Sequence, residues 1–344
     1  MPVLVAKLRI LLPAAGLLLA AGGYTIWWHA VADAVSARVP LVVAACAEAG
    51  IVVDPGTAEV GGFPYRVELA LQGPVATGRN WRWAPERVQV FAQPWNLRHL
   101  VVLAGTAHRW GREPRGTMLA ADVFRASLVH GRDGALERIS IEATGLTAPD
   151  WSLDRMELHA RRTRGGFETA GKLEGGRTVD RGAATRPTIE YALLEGTLAP
   201  TPGLRALADP AGWAQAGGIL EISRFTFAWG SLQGDAQGTV TLDGAGRPLG
   251  AFTLSTGNFP AAIRFLEDQG WTPAAAARAA EAATVEAGRH TAETSIPVTV
   301  QDGELTVAGV PLLQLPPLVP ALVPAPAPNP VRRRSHPDEF RGSG

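Results

Sequence analysis

Hydrophobic and polar positions follow three different periods along this chain. Ile10 to Trp28 is a run of nineteen residues without a charge, preceded by Lys7 and Arg9. At about 1.5 Å per residue the run makes roughly 28 Å of helix, close to the ~30 Å hydrocarbon thickness of a bilayer. The predicted membrane anchor comprises Ile10, Leu11, Leu12, Leu17, Leu18, Leu19, Tyr24, Ile26, Trp27 and Trp28, with its aromatics at the end that meets the headgroups. Beyond it Val31, Val35 and Val39 recur at helical spacing and Gly50 is a terminating residue. A membrane-proximal helix is therefore predicted over 29–50, kinked or restarted at Pro40. From Ile51 the period becomes two. Val67, Leu69 and Leu71 alternate with Arg66, Glu68 and Ala70, the pattern of a half-buried strand over Tyr65 to Leu71.

Comparable runs predict strands at Arg87 to Phe91, His99 to Leu103, Phe124 to His130, Leu136 to Ala143, Met156 to Arg162, Thr188 to Leu198, Leu220 to Trp229, Thr239 to Leu242 and Ala251 to Leu254. Ile296 to Gln301 and Glu304 to Val307 complete the set. Asp133-Gly134, Asp243-Gly244 and Asp302-Gly303 fall between such runs and suit the positive-φ positions of tight hairpins, so successive strands should pair antiparallel. One helical hairpin, 258–288, interrupts the series. Its first helix is capped by Asn258 and opened by Pro260, with Phe259, Ile263 and Leu266 on one face, and it ends at Gly270. The second is capped by Thr272 and opened by Pro273, and ends at Gly288. From Pro311 onward proline removes too many backbone donors for a helix or a central strand, though Leu312, Leu313, Leu315 and Leu318 can pack as an extended edge.

These periods divide the chain into a membrane anchor or uncleaved signal (1–28), a membrane-proximal helix (29–50), a β-rich domain (51–318) and a disordered Pro-rich and basic tail (319–344). The expected fold class is mainly β: an antiparallel curved sheet or sandwich with an N-terminal membrane helix and a small C-terminal helical hairpin. Without regular strand-helix alternation or a Gly-rich phosphate loop, a doubly wound α/β sheet is disfavoured. Ala20-Ala21-Gly22 offers a signal-peptide cleavage site, but the apolar run continues through Trp28, which favours a retained anchor. Lys7 and Arg9 hold the N-terminus in the cytoplasm and send the body across the membrane.

Charge narrows the partners. The 32 basic and 32 acidic residues cancel, leaving no field to recruit nucleic acid. The single cysteine, Cys46, excludes an intramolecular disulfide. Seven histidines show no metal-ligand spacing, no nucleophile elbow is present, and Glu137, Glu142, Glu157 and Glu168 read as solvated strand faces rather than general acids. No catalytic residue, metal or cofactor is predicted. Ten tryptophans, Trp81 and Trp83 on one strand face among them, are read as core packing before a sugar-binding cleft.

Gly62-Phe63-Pro64-Tyr65-Arg66-Val67-Glu68-Leu69, followed by Val90-Phe91-Ala92-Gln93-Pro94-Trp95-Asn96, resembles the bacterial domain of unknown function 2125 family. Leu242-Asp243-Gly244-Ala245-Gly246-Arg247-Pro248-Leu249-Gly250, Asp302-Gly303-Glu304-Leu305 and Leu315-Pro316-Pro317-Leu318 are similar to its C-terminal portion. The resemblance spans roughly Trp28 to Leu318 and carries no catalytic residues. A more distant architectural likeness is to AsmA-type envelope proteins, whose curved sheet forms an apolar groove for lipid chains. Together these lead to the expectation of a single-pass bacterial inner-membrane protein with a periplasmic body, not an enzyme, that binds or transfers lipid or another apolar ligand or scaffolds the envelope. The alternative is an envelope glycan-binding or hydrolytic protein.

Overall fold

The computed structural model describes residues 2–315 and 317, apart from 80, 112–115, 179–187, 201–205, 207, 208, 258, 271 and 289–294. It opens with a single helix, α1 (Pro2–Glu48), which runs through Pro40 without the predicted restart. Gly50 then takes φ +88°, its N–H donating to the Ala47 carbonyl and that of Ile51 to the Cys46 carbonyl. This bond pair closes a helix around a left-handed residue.

Five bent passes follow: β1 (Val52–Asp54) with β2 (Thr57–Gly61), β3 (Val67–Gln72) with β4 (Val75–Thr77), β5 (Arg82–Pro85) with β6 (Arg87–Gln93), β7 (Asn96–Ala104) with β8 (Ala107–Trp110), and β9 (Thr117–Ala120) with β10 (Val123–His130). Their near halves pair in the order β2–β3–β6–β7–β10 and their far halves in the order β1–β4–β5–β8–β9. Each pass thus lies beside its sequence neighbour. The bends line up as a crease across the strands, held by Gly73 N–H to the Glu86 carbonyl (2.8 Å), Glu86 N–H to Ala107 (3.1 Å) and Ala121 N–H to Thr106 (2.8 Å).

β11 (Leu136–Thr147) joins both halves by pairing with β10 and β9. The meander continues through β12 (Trp151–Arg162), β13 (Phe167–Thr178), β14 (Ile189–Ala199), β15 (Ile219–Trp229), β16 (Leu232–Leu242), β17 (Pro248–Ser255), β18 (Ser295–Gln301), β19 (Glu304–Val307) and β20 (Val310–Gln314). All pairs are antiparallel, and the result is one large curved sheet rather than a two-layer sandwich. Between β14 and β15 a short α2 (Pro210–Gln215) is capped by Asp209, which accepts from the Gly212 N–H at 3.1 Å.

The three Asp-Gly pairs do join antiparallel strands. Asp302 and Gly303 take φ +56° and +79° as a two-residue loop between β18 and β19, whose twist matches the strands. In the β16–β17 turn the positive φ falls on Gly246 instead of Gly244, while Asp243 accepts from the N–H groups of Ala245 and Arg247. β20 lies beyond the predicted strands. It is the last strand of the meander, where Pro311 sits opposite Thr306 at a register shift and Leu312 is buried, which is where a sheet accepts proline.

The helical hairpin forms as α3 (Phe259–Asp268) and α4 (Ala274–Gly288) between β17 and β18. Phe259, Ile263, Ala277 and Ala280 pack on Ile296, Val298, Val307 and Leu312. The predicted Asn258 cap lies outside the described residues, as do Trp271, Pro316, Leu318 and the tail 319–344. Thr272 does not cap α4: its side chain turns inward, and its buried hydroxyl has no hydrogen-bond partner.

Candidate functional site: an apolar face across the sheet

Strand register places one unbroken apolar row across the meander. Cross-strand partners run Val60, Leu69, Val90, Val102, Ala126, Ile141, Leu158, Gly171, Leu194, Phe225, Ala236, Leu254 and Ile296, one residue from each of thirteen strands. At ~4.8 Å between strands the row is about 58 Å long. Val88, Ala104, Phe124, Ala143, Met156, Leu173, Ala192 and Phe227 form a second row on the same face. One bulge in β15 preserves this face: an extra residue between Ile222 and Phe225 shifts the register against both neighbours, β14 at Glu195/Gly196 and β16 at Gly238/Ala236, and keeps Ile222 on the same side as Phe225 and Phe227. From Val60 to Leu254 the row is half-buried, with Leu158 exposed; it is fully covered at Ile296.

At that end α3 closes over the face and leaves a cavity of about 450 Å³. Phe225, Phe227, Trp229, Phe252 and Leu254 line it from the sheet, Ile263 and Leu266 from the helix, and among the described residues every side chain lining it is apolar. The size falls in the range of ligand sites. Of the β16 residues opposite Phe227, Phe225 and Ile222, Ala236 lines the cavity, while Gly234 and Gly238 let the β17 backbone approach closely: a Cβ there would meet the Ser255 carbonyl oxygen at 2.6 Å and that of Ala251 at 2.1 Å.

The opposite face is charged. Glu142 takes Arg125 Nε at 2.7 Å and Arg155 Nη2 at 3.2 Å, Arg155 reaches on to Glu157, Lys172 pairs with Glu174 at 2.7 Å and Arg177 grips Asp154 at 2.8 and 2.9 Å. The predicted solvated carboxylates Glu142, Glu157 and Glu168 therefore belong to ladders of exposed ion pairs, worth little individually but marking this side as the wet one.

α1 meets the other end of the apolar row. Among the described residues it is the one helix long and apolar enough to cross a membrane. Leu12, Leu17, Leu18, Leu19 and Ile26 are exposed along it; the backbone is helical at Lys7, Arg9, Ile10 and Leu11. Tyr24 and Trp28, at the end of the predicted anchor, turn their side chains towards the sheet. Trp28 is 3 % exposed against Val67, its indole N–H donating to the Arg66 carbonyl at 3.1 Å, and the Tyr24 hydroxyl donates to the Pro64 carbonyl. Both polar atoms gain partners that a bilayer interior does not offer. Trp27 stays exposed. The Gly62–Val67 motif is thus the seat of the helix, with Phe63 packed edge-on to Trp28 and stacked on His29.

The other tryptophans are dispersed through the fold. Trp81 stacks on Trp110 at 5.9 Å, Trp83 lies over His108 and tilts towards Phe124, Trp151 packs beside Leu146, and Trp229 meets Phe265 edge-on. His108, 2 % exposed inside this corner of the crease, has no hydrogen-bond partner at either ring nitrogen. Burial pushes its imidazole below the ordinary value of 6.5, opposed by the backbone at Gly105. The sequence gives no signal for this histidine beyond its place in an alternating run.

Near the C-terminal end, Arg247 ties two hairpins together. Its Nε donates to Asp243 Oδ2 at 2.7 Å, and its Nη atoms donate to the Asp302 carbonyl and Oδ1, both at 2.9 Å. Bonds from the Arg247 backbone N–H, and then from its guanidinium, hold the Asp243 carboxyl below the usual carboxylate range. These residues of the C-terminal motif fix turns; they do not face the apolar cavity.

A family model described as "Uncharacterized protein conserved in bacteria (DUF2125)" matches residues 27–316. The chain belongs to this family. The matched stretch of this DUF2125 member starts at Trp27, beside the docked Trp28, and ends just past β20, taking in the whole apolar face and the cavity. No curated protein and no solved structure matches the chain.

Proposed function

We propose that this protein is a single-pass bacterial inner-membrane protein, N-terminus in the cytoplasm and β-rich body in the periplasm, that carries lipid acyl chains on the apolar face of its sheet. The apolar row supports this reading most strongly, because thirteen strands set no polar side chain in it and from Val60 to Leu254 it lies on a half-open face where only an apolar partner removes it from water. Burial is worth about 25 cal/mol per Å² of apolar surface, so an extended chain lying along the row gains steadily with length and needs no polar contact to be held. The all-apolar cavity under α3 gives the row a terminus that encloses a ligand tail. We read the function as non-enzymatic: Glu142, Glu157 and Glu174 serve ion pairs on the wet face, and the apolar row supplies dispersion contacts.

A fragment from Tyr24 to residue 318 keeps the aromatics that seat the helix and can be purified without detergent. Mass spectrometry of its solvent extract should find phospholipid or fatty acid in near-stoichiometric amount. Repeated lipid-free preparations of a folded fragment would count against the reading.

A further inference from the structure

The turns at one end of the meander carry large apolar side chains outside any core. In the β2–β3 turn Phe63 is 48 % and Tyr65 82 % exposed; in the β6–β7 turn Trp95 is 64 % exposed. The sheet places them side by side: Val67 pairs with Ala92 and Gln93 with Asn96, so Tyr65 and Trp95 occupy neighbouring loop tips. Their height relative to α1 is fixed as well. Beyond Trp28 the helix climbs twenty residues to Glu48, about 30 Å, and the chain from Val52 to Gly61 descends through the bend of β1 and β2, at most about 33 Å, bringing the β2–β3 turn back beside Tyr24 and Trp28. The hydrogen bonds from Tyr24 to Pro64 and from Trp28 to Arg66 lock that return in place.

We propose that Phe63, Tyr65 and Trp95, with Trp27 of the helix, form an aromatic belt seated in the outer headgroup region of the bilayer that α1 crosses, so that the apolar row opens at the membrane surface. The proposal rests on the reading of α1 as a retained span and deepens the lipid-carrying function by placing its point of entry. The occupant is the bilayer because this surface continues directly from the helix: Phe63 touches Tyr24, Trp28 and His29, which end the uncharged run. Whatever depth those three residues have, Phe63 shares it. Tyr and Trp favour the headgroup layer, where the ring is desolvated and the polar edge stays wet, whereas at the tip of a water-facing hairpin they expose apolar area without return. The first members of the apolar row, Val60 and Leu69, lie in the two strands that leave this turn. An acyl chain rising from the outer leaflet beside the turn meets the row without crossing water.

The test uses the full chain with Cys46→Ala, reconstituted in vesicles of phosphatidylethanolamine and phosphatidylglycerol. Single nitroxide labels are placed at Leu18→Cys, Tyr65→Cys, Trp95→Cys and Met118→Cys; Met118 is exposed on β9 at the far end of the bent passes. Accessibility to oxygen relative to a water-soluble nickel chelate reports depth. Labels at 65 and 95 should lie between the membrane value at 18 and the aqueous value at 118, with melting temperatures unchanged because both side chains are exposed. Aqueous values at 65 and 95 with a membrane value at 18 overturn the belt and leave the anchor standing. An aqueous value at 18 overturns both. Lipid extraction from the detergent-free fragment is independent of these labels, so loss of the belt and loss of lipid carriage are read separately.

Discussion

At the residue scale, His108 couples stability to pH. Its ring is stacked under Trp83 and beside Phe124, with no partner for either nitrogen, and burial lowers its affinity for a proton in the folded state. The unfolded chain therefore binds the proton first as pH falls. The stabilisation that His108 contributes is complete above the ordinary value of 6.5 and is lost as the pH drops through its lower folded value. Urea unfolding between pH 7.5 and 5 should show stability declining on the acid side, and His108→Phe, which fills the same aromatic corner without a titratable nitrogen, should flatten that decline. An equal decline in the variant would show that other groups carry it.

At the scale of elements, the crease depends on glycine in unequal degree. Gly56 has φ +64° and a Cβ there would meet the Gln72 carbonyl oxygen at 2.0 Å, whereas Gly73, at φ +62°, has nothing within 4 Å of the added carbon. Gly73→Ala should therefore cost only the left-handed conformation, about 1–2 kcal/mol. Gly56→Ala must also displace a strand of the neighbouring pass and should cost roughly 3 kcal/mol or more. Thermal melts of the two variants decide this, and equal losses would show that the crease yields freely. The bends also explain which elements were legible. Long alternating runs such as Leu220 to Trp229 announce themselves, but β1, β4, β5, β8 and β9 are three or four residues long, too short for a period to register. β13 was hidden differently, since Thr169, Gly171 and Gly176 dilute its apolar side. Pro40 misled because packing of Val31 and Val35 against the sheet outweighs one missing helix bond.

At the scale of the whole molecule, the sequence showed the alternation in each strand but not that the registers align. Across β14 to β16 that alignment comes from a bulge in β15 between Ile222 and Phe225, which shifts parity by a residue inside a run that otherwise looks regular. The apolar cavity was equally hidden, because it depends on α3 folding back over β15 to β20. One cue was present: the small residue Ala236, at the cavity wall, stands opposite Phe225 in an aromatic strand. The charged residues of β10 to β13 sort to the other face through the same period of two, so the sheet is amphipathic in its middle strands.

The claim that lipid lies along the apolar face is tested most directly by a photocrosslinking scan of β12 in the living cell. Benzophenone side chains introduced one at a time at Met156, Glu157, Leu158, His159 and Ala160 of the full-length protein sample both faces of one central strand. After irradiation, mass spectrometry should find lipid adducts at 156, 158 and 160 and none at 157 and 159. Adducts spread evenly over both faces, or lipid absent from all five positions while each variant stays folded, would contradict the account.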